Sequence, residues 1–111
     1  MNKIAQDLSL CKRAGKLILG FDVVKKSMQD GSAELIVLAK DLSPKTRKET
    51  IYLSEQFEIP LLTTDLTLDE LWYLLGKRVG VISVIDYGLS EKIKKDASTQ
   101  NITYSYEEEN R

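Results

Sequence analysis

Histidine is absent from the chain, and Cys11 is its only cysteine. Without an imidazole there is no Ser-His-Asp triad, no Cys-His pair and none of the common histidine-based zinc sites. With a single thiol there is no intrachain disulfide and at most one thiolate ligand for a metal. Most small-hydrolase chemistries fall on these two counts. Long apolar runs are missing too: nothing approaches the roughly eighteen residues of a membrane span, and Lys3, Asp7, Lys12, Arg13 and Lys16 interrupt the first twenty positions. Neither a transmembrane segment nor a secretory signal is expected, and a cytoplasmic protein is the default. Charge of one sign is also lacking, since 16 Lys and Arg meet 17 Asp and Glu in 111 residues, a net charge of −1. The remaining mixture, 42% apolar and 30% charged, suits one compact domain around one modest core.

The balanced total hides a gradient. Residues 1–48 hold ten basic and five acidic side chains, residues 49–97 hold five and nine, and residues 98–111 hold one and three. The balances are therefore +5, −4 and −2. A basic half can bind a polyanion through a local patch, although the whole molecule exerts little long-range attraction. A solvated surface accounts for the same charges equally well.

Periodicity orders the elements. Ile4, Leu8 and Cys11 form one stripe of a helix over residues 3–14, closed by Gly15. A short strand, residues 17–19, ends at Gly20, and a helix over residues 22–29 follows with Asp22 as its N-cap and Gly31 past its end. The run Leu35-Ile36-Val37-Leu38-Ala39 reads as a strand buried on both faces. Ser43 and Pro44 open a third helix reaching Gln56, and Pro60 precedes a brief strand over residues 61–63. Thr67 and Glu70 have the spacing of a capping box for a helix ending at Gly76. A long strand over residues 79–85 and a helix over residues 89–97 complete the series. Strands this apolar, alternating with helices, predict an α/β fold, a three-layer αβα sandwich with the two long strands at its centre. The single domain spans residues 1–97. In the acidic tail, residues 98–111, Ile102, Tyr104 and Tyr106 alternate as in an edge strand, while Glu107, Glu108 and Glu109 favour solvent.

Several candidate sites reduce to structure. Gly15 and Gly20 have the gap of a phosphate loop, but Phe21 and Asp22 stand where Lys and Ser or Thr are required. Asp41, after the long strand, reads as a turn residue preparing the Ser43-Pro44 helix start. Cys11, on an apolar stripe, reads as a buried inert thiol. Trp72, Tyr73, Leu74 and Leu75 read as core and helix-cover residues, with an exposed Trp72 as the sign of a contact surface. The cluster from Gly20 is richer. A strand runs directly into a helix through Gly20-Phe21-Asp22-Val23-Val24-Lys25-Lys26, turning free amides and the positive end of the helix dipole outward. Lys26, four residues after Asp22, shares its helical face. A capped surface helix with ordinary lysines is the competing reading.

At these residues the chain resembles the L-seven-Ae group of ribosomal-type proteins that bind kink-turn RNA, and within it the small bacterial YlxQ-like subgroup. The resemblance spans about residues 4–95. It rests on Leu10-Cys11-Lys12-Arg13-Ala14-Gly15-Lys16, on Gly20 with Val24, Lys26 and Gly31, and on Leu35 to Pro44 with its Lys40-Asp41-Leu42-Ser43 turn. It implies a four-stranded mixed sheet of the ribosomal L-thirty-e type, and an RNA surface gathered from three loops: the Gly20 turn, the Asp41 to Ser43 turn, and Thr63-Thr64-Asp65-Leu66. Relatives supply an Asn, a Glu and a Lys from the first loop to sheared G·A pairs. Here Gly20 and Lys26 match, Asp22 stands for the Asn and Val23 for the Glu. An Asp keeps acceptors but loses the amide donor, and Val23 offers only apolar contact, which implies altered selectivity. The implied RNA-binding set is Gly20, Phe21, Asp22, Val23, Lys26, Lys16, Lys40, Asp41, Lys45, Thr63, Thr64, Asp65 and Leu66. The implied partner is structured, kink-turn-like RNA, with the ribosome or a translation factor as a further contact. No catalysis, cofactor, metal, membrane or DNA is expected. The alternative is a protein-interaction module on the same fold serving translation or ribosome assembly.

Overall fold

The computed structural model describes residues 2–99. Its elements are α1 (Lys3–Arg13), β1 (Leu17–Leu19), α2 (Phe21–Gln29), β2 (Leu35–Leu38), α3 (Pro44–Gln56), β3 (Leu61–Thr63), α4 (Leu68–Leu75), β4 (Val81–Val84) and α5 (Tyr87–Thr99). The four strands lie in the order β1-β4-β2-β3. Strand β4 pairs antiparallel with both β1 and β2, and β2 pairs parallel with β3. The sheet is mixed, with the two four-residue, fully buried strands at its centre.

Alternation along the strands divides the core. Leu35, Val37, Ile82 and Val84 face the layer of α1, α4 and α5, where they meet Ile4, Leu8, Leu71, Leu75 and Ile93. Ile36, Leu38 and Val81 face the other layer, against Val24 and Met28 of α2 and Leu53 of α3. Cys11 lies in the first cluster with no exposed surface, and burial pushes its thiol up to about 11.

Local sequence rules hold at most helix ends. The Ser43 hydroxyl accepts from the Thr46 amide and Pro44 fills the first turn of α3. Thr67 and Glu70 form the reciprocal capping box of α4, and Gly76 closes it in the left-handed region at φ 77°. Four details differ from expectation. The strand expected over residues 79–85 is shorter, β4 covering Val81–Val84. Helix α2 starts at Phe21 with Gly20 as N-cap, so Asp22 sits inside the first turn. Helix α5 starts two residues early, because Asp86 Oδ2 accepts from the Leu89 amide at 2.8 Å and caps it from outside. Trp72 and Tyr73 are not core residues: they are 52% and 93% exposed. Six of the eight residues of α4 are apolar or aromatic, so its pattern does not single out an inward face. The expected strand at Ile102 to Tyr106 lies outside the described residues.

Helices α1 and α5 are joined by a carboxylate pair around one amine. Lys92 Nζ donates to Asp7 Oδ1 at 2.7 Å and to Asp96 Oδ2 at 2.9 Å. Asp7 is buried, and its pKa is raised by desolvation first and by a hydrogen bond with Asp96 second, against the lowering pull of Lys92. Asp96 is lowered, by its hydrogen bonds with Asp7 and Lys92. Asp7 Oδ2 is buried without a hydrogen-bond partner, and that desolvation favours the neutral form of this carboxyl over its charged form.

These opposite shifts have opposite signs in stability. A raised carboxyl contributes fully below its unfolded value of 3.8 and loses that contribution as pH rises through the folded pKa; the lowered Asp96 contributes above 3.8 and loses it as pH falls. Asp7→Asn, whose amide donates at every pH, should flatten the loss on the alkaline side. Urea unfolding of both proteins between about pH 4 and pH 8 checks this, and parallel profiles would contradict the raised Asp7 carboxyl.

Candidate nucleic-acid interface

Strand direction gathers the loops. Because β1 and β2 both run against β4, and β3 runs with β2, the C-terminal ends of β1, β2 and β3 share one sheet edge with the start of β4. Backbone bonds extend the ladder beyond the strands at this edge: Gly20 N donates to Val81 O at 3.0 Å, Ala39 N to Gly80 O at 2.9 Å, Thr64 N to Leu38 O at 3.0 Å and Lys40 N to Leu66 O at 2.7 Å. The three expected loops are therefore adjacent. A fourth, residues 76–80, joins them.

The Gly20 turn owes its form to its backbone. Gly20 has φ 108° and ψ 145°, a region essentially restricted to glycine. Crowding plays no part, since a Cβ there would meet nothing closer than Val23 Cγ2 at 3.9 Å and Lys77 Nζ at 4.0 Å. No side chain caps the start of α2, so its first-turn amides and the positive end of its dipole face outward, with Asp22 the one acid in that turn. Asp22, Val23 and Lys26 are exposed. Phe21 is not a free platform; its ring packs against the core between the sheet and α2 and α3.

In the second loop Lys40 and Lys45 are exposed. Lys45 stands in the first turn of α3, which contains no acid, so a cation adds to the positive helix end there. Asp41 has a different task from the one expected: its Oδ1 accepts from the Leu68 amide at 2.8 Å, tying the β2–α3 turn to the start of α4.

The third loop is mostly engaged with the protein itself. Thr64 is 3% exposed, donating its hydroxyl to Leu38 O at 2.9 Å and accepting from Leu66 N at 3.2 Å. Leu66 is buried in the core. Neither side chain reaches a ligand, because the loop must satisfy its own buried backbone. Thr63 accepts from Arg47 Nη2 at 2.8 Å, and Asp65 accepts from Asn2 Nδ2 at 2.8 Å. Lys16 is placed elsewhere altogether. Its carbonyl accepts from Ile85 N, past the far end of β4, so β1 separates it from Gly20 by about 13 Å at the usual strand rise.

Local patterns missed Lys77. Its ammonium lies beside Gly20 although 57 positions separate them in sequence. Only the antiparallel direction of β4, which brings residues 76–80 back to this edge, could have revealed it. Lys12 reinforces the same end of α4: its Nζ donates to Leu75 O at 2.5 Å, a cation on the negative end of that helix. Among the described residues, no three His, Cys, Asp or Glu side chains gather as a metal site.

This edge, in a four-stranded αβα sandwich, invites comparison with known proteins. Residues 2–94 match the model of the ribosomal protein L7Ae/L30e/S12e/Gadd45 family. The chain belongs to this family. Among its relatives is the RNA-binding protein YlxQ of Enterococcus faecium, 28% identical over 88 residues, covering 79% of this chain and 84% of the relative. The large ribosomal subunit protein eL8 of Thermoplasma volcanium is 32% identical over 92 residues, covering 75% and 69%. A solved protein of unknown function from Bacillus halodurans C superposes with a TM-score of 0.83 at 28% identity, covering 88% of this chain and 99% of that one.

Backbone geometry alone sets the cost of changing the turn. Gly20→Ala should lower unfolding free energy by about 1–3 kcal/mol through strain, despite the open space around it. A denaturant titration reads the loss; an unchanged midpoint and slope would refute the positive φ.

Proposed function

We propose that this chain is a non-enzymatic RNA-binding protein of the ribosome-associated kind, docking folded RNA of the kink-turn class at the Gly20 edge. Family membership and relatives named as an RNA-binding protein and a ribosomal protein support the RNA half of this reading. The observation that carries the site is the convergence of an uncapped helix start with four exposed lysines from three segments at one sheet edge, Lys26, Lys40 with Lys45, and Lys77.

A sharply bent RNA crowds phosphates and exposes base edges, and both suit this arrangement. The amides of the first turn of α2 donate to phosphate or to base acceptors. Gly20, lacking a side chain, admits the RNA backbone. Lys26 donates to a base edge or a phosphate, Asp22 accepts from a guanine edge, and Lys40, Lys45 and Lys77 neutralise phosphates. Thr63 and Asp65 frame the edge from the third loop. Val23 contributes an apolar contact. The working compartment in this reading is the cytoplasm, where RNA and ribosomes are available.

The test is a titration of labelled kink-turn RNA against a duplex of equal length at several salt concentrations. With about four phosphates neutralised, log affinity should fall with log salt at a slope of about −3 to −4. Lys26→Ala should weaken binding about tenfold, in line with a charge-assisted contact. Equal affinity for both RNAs would remove the kink-turn part, and binding to neither would remove the RNA reading.

Selectivity depends on two positions. Asp22→Asn combined with Val23→Glu supplies an amide donor and a carboxylate acceptor and should tighten kink-turn binding relative to the duplex. An unchanged ratio, measured by the same titration, would place recognition away from the start of α2.

A further inference from the structure

The outer face of α1 and α4 is unused by this proposal and has an unusual polarity. The two helices lie side by side in the same direction. At one end Asn2 Nδ2 bonds Asp65, just ahead of α4, and at the other Lys12 Nζ bonds Leu75 O. A groove runs between them, continuous through Leu74. Its basic end is formed by Lys12 and Arg13 and its acidic end by Asp69 and Glu70. Tyr73, 93% exposed, lines it beside Leu74. Asp69 has only a long, exposed contact with Arg78 at 3.5 Å, which is weak in water.

From this charge pattern we infer that the face pairs two copies of the chain about a two-fold axis. A two-fold interface must be self-complementary. Rotation by half a turn about an axis through Leu74 exchanges the groove's ends. Lys12 and Arg13 of one copy then meet Asp69 and Glu70 of the other, twice over, while the Tyr73 rings and Leu74 side chains of the two copies cover each other. A uniformly charged partner, RNA included, would be repelled at one end of the groove. Apolar burial at the centre supplies the attraction, and the charges fix the antiparallel alignment. None of Lys26, Lys40, Lys45 and Lys77 lines the groove, so pairing presents two sets of these cations from one particle.

Sedimentation velocity on the full chain across the micromolar range tests this. The expected result is a concentration-dependent rise from monomer to twice its mass. Arg13→Glu and Asp69→Lys should each weaken association about tenfold or more, because each places like charges together at both contacts. Their equimolar mixture should recover the wild-type affinity, since each contact then joins one acid with one base. Tyr73→Ala should also weaken association, and Lys26→Ala should leave it unchanged. Both sets of changes are at exposed positions, and circular dichroism verifies that each variant is folded. A wild-type chain that stays monomeric throughout would overturn the inference, as would a dimer whose affinity the charge variants do not alter or whose mixture shows no recovery.

Discussion

The antiparallel seating of β4 between β1 and β2 governs the rest of the molecule. Its register aligns Val84 with Leu17 on one side and Leu35 on the other, and Ile82 with Leu19 and Val37. This one pairing gives β1 and β2 a common direction and collects their following loops at a single edge. Gly80 stands at the entry. A Cβ there would lie 2.6 Å from Leu42 Cδ1 and 2.7 Å from Leu68 Cδ2, so its bare backbone lets the second loop and the start of α4 close over the strand. The same edge carries the uncapped helix start and four cations from three parts of the chain.

Much of this was legible in the sequence because it depends on neighbours. Continuous apolar runs marked the central strands, since a strand covered on both faces has no polar side. The capping box, the Ser43-Pro44 start and the Gly76 stop operate within four residues and were read correctly. Cys11 declared its burial by its helical spacing. What failed to appear were partnerships across the fold. Asp41 caps a helix 27 residues later, and Thr64 serves the carbonyl of Leu38. Each is a short polar side chain satisfying a backbone group that only tertiary structure brings near.

The candidate site shows the same division. The Gly20 turn and Lys26 belong to one strand-to-helix junction, and local rules found them. Lys16 seemed close because it is four residues from Gly20, yet a strand carries those residues to the opposite edge. Lys77 seemed remote, yet the return of β4 places it beside the turn. Sequence distance misleads in opposite directions here for one reason: a strand separates neighbours while an antiparallel partner unites strangers. Trp72 and Tyr73 raise a different difficulty, since hydrophobicity records the preference for contact without saying whether the contact lies inside the molecule.

The deep placement of Cys11 has a practical corollary. Its sulfur is sealed in the core beneath α1, and is held in the neutral thiol form well above neutral pH. Alkylating reagents attack the thiolate, so a closed molecule presents them with no target. With no second sulfhydryl to compete, the rate at which such a reagent attaches would count how often this layer of helices lifts from the sheet. The chain thus carries a native stopwatch for its own breathing.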